Sequence, residues 1–171
     1  MEDPITIKRI ALLHPAIRYE VLNFYRNEIV PSLTNAFCRF AYTLRTFQEQ
    51  DVLYSKGRTK LYDNNGNRLG VVTNAKGGQS FHNYGLSIDI VLIDGKSASW
   101  NTTKDFDGDG IADWNEIVKI FKKHDWEWGG DWKRKDLPHF QKIFGYTWQE
   151  LLAKYNDGEF ISGINSNYLK L

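Results

Sequence analysis

The run Ser87-Ile88-Asp89-Ile90-Val91-Leu92-Ile93 constrains the fold more than any other stretch of the chain. Its density of β-branched residues makes it the best strand candidate in the chain. Directly before it stands Ser80-Phe81-His82-Asn83-Tyr84-Gly85-Leu86, which places an imidazole, His82, seven residues ahead of a carboxylate, Asp89. On a straight strand an odd separation points two side chains to opposite faces, and seven residues span about 23 Å. The two groups can therefore hold one ion only if the chain doubles back near Asn83-Tyr84-Gly85, and Gly85 is the residue type that permits such a turn. A third ligand type follows late, in Asp136-Leu137-Pro138-His139-Phe140. Two histidines and one carboxylate would make a three-ligand zinc site with the fourth position left for water. Spacing alone does not decide this, because a chain with four histidines can also place His82 and His139 independently.

A second motif lies at Asp105-Phe106-Asp107-Gly108-Asp109-Gly110-Ile111-Ala112-Asp113-Trp114-Asn115-Glu116. Set against the twelve-residue EF-hand loop, it has Asp at positions 1, 3, 5 and 9, Gly at 6 and Glu at 12. Calcium takes about six to eight hard oxygen ligands. Asp105, Asp107, Asp109, Asp113, Glu116 and the Ile111 carbonyl would wrap them around one point. Five acids this close repel one another without a cation; the other reading is an acidic loop solvated in the ordinary way. Ala112 stands where a larger aliphatic is usual, which points to a lone loop and not to half of a regulatory pair.

Around these motifs the chain alternates helix and strand signals. His14 to Ile29 carries apolar residues at helical spacing, with Pro15 suited to the first turn. Cys38, Phe40, Tyr42 and Leu44 alternate with polar or small residues, a strand pattern. Thr46 and Glu49 form a capping box that opens a helix ending near Gly57. Asp63 to Asn67 is a turn, and Thr73 to Gln79 a polar, glycine-containing loop. A helix follows from Trp114 to His124, with Trp114, Ile117, Val118 and Phe121 on one face. His124 at its end complements the helix dipole and is left out of the site. Trp126-Glu127-Trp128 alternates like a short strand ending at Gly129-Gly130. Lys133-Arg134-Lys135 reads as a solvated loop, with contact to an anionic partner the other reading. Thr147 and Glu150 cap a last helix running to about Tyr155.

With 171 residues the chain is long enough for one sizeable core. The single Cys38 cannot form an internal disulfide and suits a small core position. The N-terminus lacks the basic start and apolar run of a signal peptide, and no stretch approaches the roughly 20 apolar residues of a membrane span. The net charge is only +1, but five of the 21 acidic residues sit between Asp105 and Glu116, so the rest of the chain carries a basic surplus. That surplus would suit an anionic polymer, although a surplus of this size also occurs on ordinary soluble proteins. No nucleic-acid signature is present.

The wording S-x-H-x-x-G-x-S-x-D from Ser80 to Asp89, followed by Asp136-x-x-His139, resembles the zinc peptidases of the D-alanyl-D-alanine carboxypeptidase and VanX/VanY group. Within that group the chain is most similar to the L-alanyl-D-glutamate endopeptidases found among bacteriophage endolysins and related bacterial wall hydrolases. The resemblance extends from the Leu-His-Pro near the start to Trp-Gly-Gly-Asp-Trp and Pro-His-Phe. Ser87 replaces an alanine common in relatives, and Asp136 matches the endopeptidase branch, where the dipeptidase branch has glutamate.

The resemblance implies an α+β fold: a small, mostly antiparallel sheet with flanking helices and an open zinc cleft. Residues 1–171 would form a single peptidase domain with the 105–116 loop inserted and no separate wall-binding module. Zinc would sit on His82, Asp89 and His139, and Asp136 would serve as the general base. Arg45, at a strand-to-helix junction and before Thr46, would contact substrate and the developing oxyanion. Arg58 and Ser80 are further substrate-binding candidates. The expected partner is the peptidoglycan stem peptide, met by a monomer made in the cytosol and released to the wall by a holin-type route. Three alternatives stand beside this one: a D,D- or L,D-carboxypeptidase using the same zinc chemistry, a non-catalytic wall-binding module held together by its metals, and a cytosolic peptidase acting on soluble muropeptides.

Overall fold

The computed structural model describes residues 2–162 and 168–171. The chain divides into two compact units, Met1–Leu44 with Leu86–Ile143, and Arg45–Gly85 with Phe144–Leu171.

The first unit is built on an antiparallel sheet in the order β1-β2-β5-β4, with β3 also paired to β2. Its strands are β1 (Ala36–Tyr42), β2 (Ser87–Asp94), β3 (Ser97–Ser99), β4 (Glu127–Trp128) and β5 (His139–Gln141). The strand expected over Ser87 to Ile93 is β2, and its pairing makes it central: β1 takes one edge, and β5 and β3 share the other. Nearly every β2 residue is buried, which explains why its sequence is a continuous apolar run and not an alternation.

The strand expected over Cys38 to Leu44 is shifted. Ala36, Cys38 and Phe40 point inward, but the β1–β2 register slips between Phe40 and Tyr42, and Tyr42 is exposed. An extra residue in one strand turns the next side chain to the other face. The inward alternation therefore stops at Phe40.

Helix α1 (Pro4–Ile10) was not marked by hydrophobic periodicity. Its start is nonetheless written in Asp3-Pro4: the Asp3 carboxylate accepts the Thr6 amide at 3.0 Å, and proline stands where no N–H is needed. The helix expected from His14 to Ile29 is divided into α2 (Pro15–Phe24), a wide π turn over Tyr25–Ile29, and α3 (Val30–Ser32). The wide turn comes just before Pro31, whose ring would collide with the carbonyl four residues back in a regular α-helix. Helix α5 (Asp113–Lys123) buries Trp114, Ile117, Val118 and Phe121, the face expected from spacing. At the centre of this core the Phe121 ring stacks on Phe140 at 4.1 Å and meets Phe24 edge-on at 5.1 Å.

The second unit carries α4 (Phe47–Ser55) and α6 (Trp148–Asn156), each opened by the expected capping box, Thr46 with Glu49 and Thr147 with Glu150. Phe47 packs on Tyr155 with ring centroids 4.5 Å apart, joining the two helices. The Asp63–Asn67 turn is a hairpin tip, closed by the Asp63 amide on the Asn67 carbonyl at 2.9 Å and flanked by the Tyr62–Arg68 bridge. A 3₁₀ turn, Phe81–Tyr84, ends this segment at Gly85, which has φ +70°. Among the described residues no helix is long and apolar enough to cross a membrane. The fold class is that expected: mixed α and β, with a small antiparallel sheet and flanking helices.

Candidate active site

Two local devices aim the ligand candidates. His82 lies in the 3₁₀ turn, where its amide donates to the Ser80 hydroxyl at 3.3 Å while the Asn83 side chain accepts the Ser80 amide at 3.3 Å. Gly85, in the left-handed conformation, then redirects the chain into β2. That is how the odd His82–Asp89 spacing is resolved: only Asp89 belongs to the strand. Asp89 is directly opposite His139 in the β2–β5 pairing, so both side chains leave the sheet on one face. His139 Nδ1 lies 3.0 Å from Asp89 Oδ1, and Nε2 lies 3.2 Å from Gln141 Oε1.

One donor atom from each of His82, Asp89 and His139 lies within 4.8 Å of the other two. His82 and His139 are buried and Asp89 half-buried. Two imidazoles and one carboxylate at this separation suit a zinc ion, whose bonds to such ligands are about 2.0–2.2 Å. Burial alone would lower the His139 pKa. The hydrogen bond and charge of Asp89, with the charge of Asp136 and the Gln141 contact, outweigh it and raise the pKa. The anionic surroundings that favour a proton on His139 would equally favour a metal cation.

Asp136 precedes His139 in a tight turn, closed by the His139 amide on the Asp136 carbonyl at 3.1 Å. The turn is anchored from behind, where the Asp136 amide donates to the Gly129 carbonyl at 2.9 Å. Gly129 is required here, since a Cβ would lie 2.4 Å from the Asp136 carbonyl oxygen. Two neighbours of His139 were not read from the sequence: Gln141, and Trp132, whose ring centroid is 5.2 Å from the imidazole. Gln141 stands two residues after His139, the spacing that shares a strand face, but the strand itself carried no signal of its own.

The remaining candidates have other placements. The Arg45 amide donates to the His82 carbonyl at 3.0 Å, the Arg45 carbonyl accepts from the Asn83 side chain at 2.9 Å, and its guanidinium donates to Gln50 at 2.9 Å. Arg58 donates to the Tyr54 and Thr73 carbonyls and to Asn74, and lies 4.0 Å over the Tyr54 ring. Ser80 caps the 3₁₀ turn.

In the acidic loop, ligand atoms of Asp105, Asp107 and Asp109 lie within 4.8 Å of one another. Asp105 accepts the Gly108 and Gly110 amides, and Asp113 accepts the Phe106 amide at 2.9 Å. Asp113 Oδ2 and Glu116 Oε2 are buried and have no hydrogen-bond partner among the described residues. Burial, then the charges of Asp109, Asp107 and Asp113, push Glu116 up to about 7. Burial likewise raises Asp113. Unpaired buried carboxylate oxygens beside three more acids form a donor set that fits a hard divalent cation. Ile111 is exposed, and its amide donates to Asp109 at 2.7 Å.

Residues 73–142, which include His82, Asp89, Asp136 and His139, match the family model described as D-alanyl-D-alanine carboxypeptidase. That segment is similar to the D-alanyl-D-alanine carboxypeptidase family. The family resemblance carried by Ser80–Asp89 and Asp136–His139 is thus borne out. The chain is 51% identical over 102 residues to the peptidoglycan L-alanyl-D-glutamate endopeptidase CwlK of Bacillus subtilis, covering 58% of this chain and 56% of that protein. It therefore spans about half the length of the curated relative it matches. Its fold is similar to that of the L-Ala D-Glu endopeptidase ChiX of Serratia marcescens, with a TM-score of 0.53 at 20% identity over 82% of this chain and 88% of that one.

Proposed function

We propose that this chain is a zinc peptidase that hydrolyses the L-alanyl-D-glutamate amide bond of peptidoglycan stem peptides. The observation that carries the reading is the His82-Asp89-His139 group, with Asp136 one turn before its last member. The 51% identity to an L-alanyl-D-glutamate endopeptidase supports the choice of bond. A zinc ion held there would supply Lewis acidity and a water of lowered pKa. Asp136, exposed beside His139, accepts the proton of the attacking water and returns it to the leaving amine. Arg45, fixed by Gln50 and by the 3₁₀ turn, faces the negative charge that develops on the scissile carbonyl oxygen. Ser80 acts by orienting His82. Arg58 acts by fixing the loop after Thr73, since its guanidinium is taken up by Tyr54, Thr73 and Asn74.

We read the 105–116 loop as a calcium site that secures the start of α5, on the strength of the unpaired Asp113 and Glu116 oxygens. The endolysin-like role, as a monomer reaching the wall by holin-type release, rests on the sequence resemblance alone, as does the assignment of residues 1–171 to one peptidase domain.

The test is mass spectrometry of purified muropeptides incubated with zinc- and calcium-loaded protein. Fragments beginning at D-glutamate, with L-alanine left on the muramic side, are expected. The description of the matching family favours a second reading, a carboxypeptidase; loss of only a terminal D-alanine would replace the first reading by that one. No cleavage with both metals bound would overturn both.

A further inference from the structure

We infer that the loop from Asp131 to Leu137, with Trp132 and the cations Lys133, Arg134 and Lys135, selects anionic stem peptides by holding a substrate carboxylate beside His139. The inference rests on the function proposed above and adds what the site prefers to bind.

The loop is built and not slack. Its base is the Gly129 carbonyl, which accepts the Trp132 amide at 3.3 Å and the Asp136 amide at 2.9 Å. Its far end is held by the Trp128 indole, which donates to the Leu137 carbonyl at 2.8 Å. Lys122 pairs with Asp131 at 2.7 Å and so neutralises the acid that opens the loop. Trp132 is tilted against His139, 5.2 Å between ring centroids, and still 37% exposed. The loop is thus fixed in place next to a ligand candidate, and one aromatic face remains available.

Lys133, Arg134 and Lys135 are all exposed. Some exposed cations of this unit have an acid beside them: Arg26 pairs with Glu2, Lys104 with Asp94, Lys122 with Asp131 and Lys123 with Glu28. These three make no ion pair with any described residue. Consecutive unpaired cations on a fixed loop raise the local concentration of anions, and a nearby low-dielectric wall such as Trp132 strengthens the effect. In the bond assigned above, the amine-side residue is D-glutamate, which carries a carboxylate next to the reacting amide. A cationic loop touching the His139 side of the site is suited to that carboxylate. An anionic wall polymer is the rival partner. The contact between Trp132 and His139 favours the peptide, because it ties the loop to the reacting centre.

The test uses soluble peptides containing the L-alanyl-D-glutamate bond, one with the glutamate carboxylate free and one with it converted to the primary amide. The zinc-loaded wild-type protein is compared with a variant carrying Lys133→Gln, Arg134→Gln and Lys135→Gln. These positions are exposed, so the substitutions leave the fold intact. Wild type is expected to prefer the free acid about tenfold in kcat/KM, mainly through KM, with the preference shrinking as salt is added. The variant is expected to bring the acid down to the amide's level. An equal loss on both peptides, or no loss on either, overturns the inference. So does a loss on intact walls alone, which would assign the cations to an anionic polymer. If wild type cleaves neither peptide, the endopeptidase reading fails; a tryptophan-fluorescence titration then decides the loop. Tighter binding of the acid than of the amide, abolished in the triple variant, keeps the inference, and equal affinities end it.

Discussion

His139 shows what a single residue owes to its neighbours. Its ring is oriented by Asp89 on one nitrogen and Gln141 on the other, and it is flanked by Trp132. Asp136 is close enough for its charge to raise the His139 pKa, and it stays exposed, as the role of base proposed for it requires. Asp136→Asn is therefore expected to retain zinc while losing roughly 100- to 10,000-fold in rate. Zinc content by elemental analysis, together with turnover, checks this, and near-normal turnover would remove Asp136 from the role of base. Gly129→Ala attacks the same turn from behind, because the added methyl meets backbone and not a movable side chain. It should cost about 1–3 kcal/mol in denaturant unfolding and lower activity as well. Unchanged stability would mean the turn can move aside. Residue types were legible here: the sequence marks His82, Asp89, Asp136 and His139 as chemistry. Gln141 and Trp132 were not, because a glutamine or a tryptophan is informative only once its neighbour is known.

At the scale of elements, the capping boxes of α4 and α6 and the buried face of α5 were readable, since each depends on residues three or four positions apart. The failures have equally local causes. The slip in β1 after Phe40 is set by pairing with β2, and the π turn before Pro31 answers a clash that hydrophobic periodicity does not register. The loop leading into α5 gives a prediction with a definite sign. Glu116 is pushed from the ordinary 4.5 up to about 7, so the folded state holds its proton more tightly than the unfolded chain does. Its contribution to stability is then fully present below about 4.5 and is lost as pH rises to about 7. In a calcium chelator, the melting temperature should fall across that window. Added calcium should abolish the fall, because the cation favours the ionised form. A melting curve indifferent to calcium at neutral pH would argue against an occupied loop.

For the molecule as a whole, the first unit depends on its aromatic core. Phe121 meets Phe24, Trp126 and Phe140 within 5.4 Å between ring centroids and is completely buried. Phe121→Ala should cost about 3–5 kcal/mol in chemical unfolding, the range for deleting a buried aromatic ring. A loss below about 1 kcal/mol would show that the core collapses around the gap. The same core carries β2 and β5, so a destabilised core is also expected to loosen the Asp89–His139 pair.

Legible in the chain were the candidate ligand types, the strand from Ser87 to Ile93, the turn at Gly85 and the spacing of the acidic loop. All of these are written in residues a few positions apart, where backbone periodicity and turn chemistry operate. That His139 faces Asp89 across 50 positions of chain became visible in the folded sheet alone. Strand register is fixed by which side chains bury together over the whole sheet, and no local pattern encodes that choice.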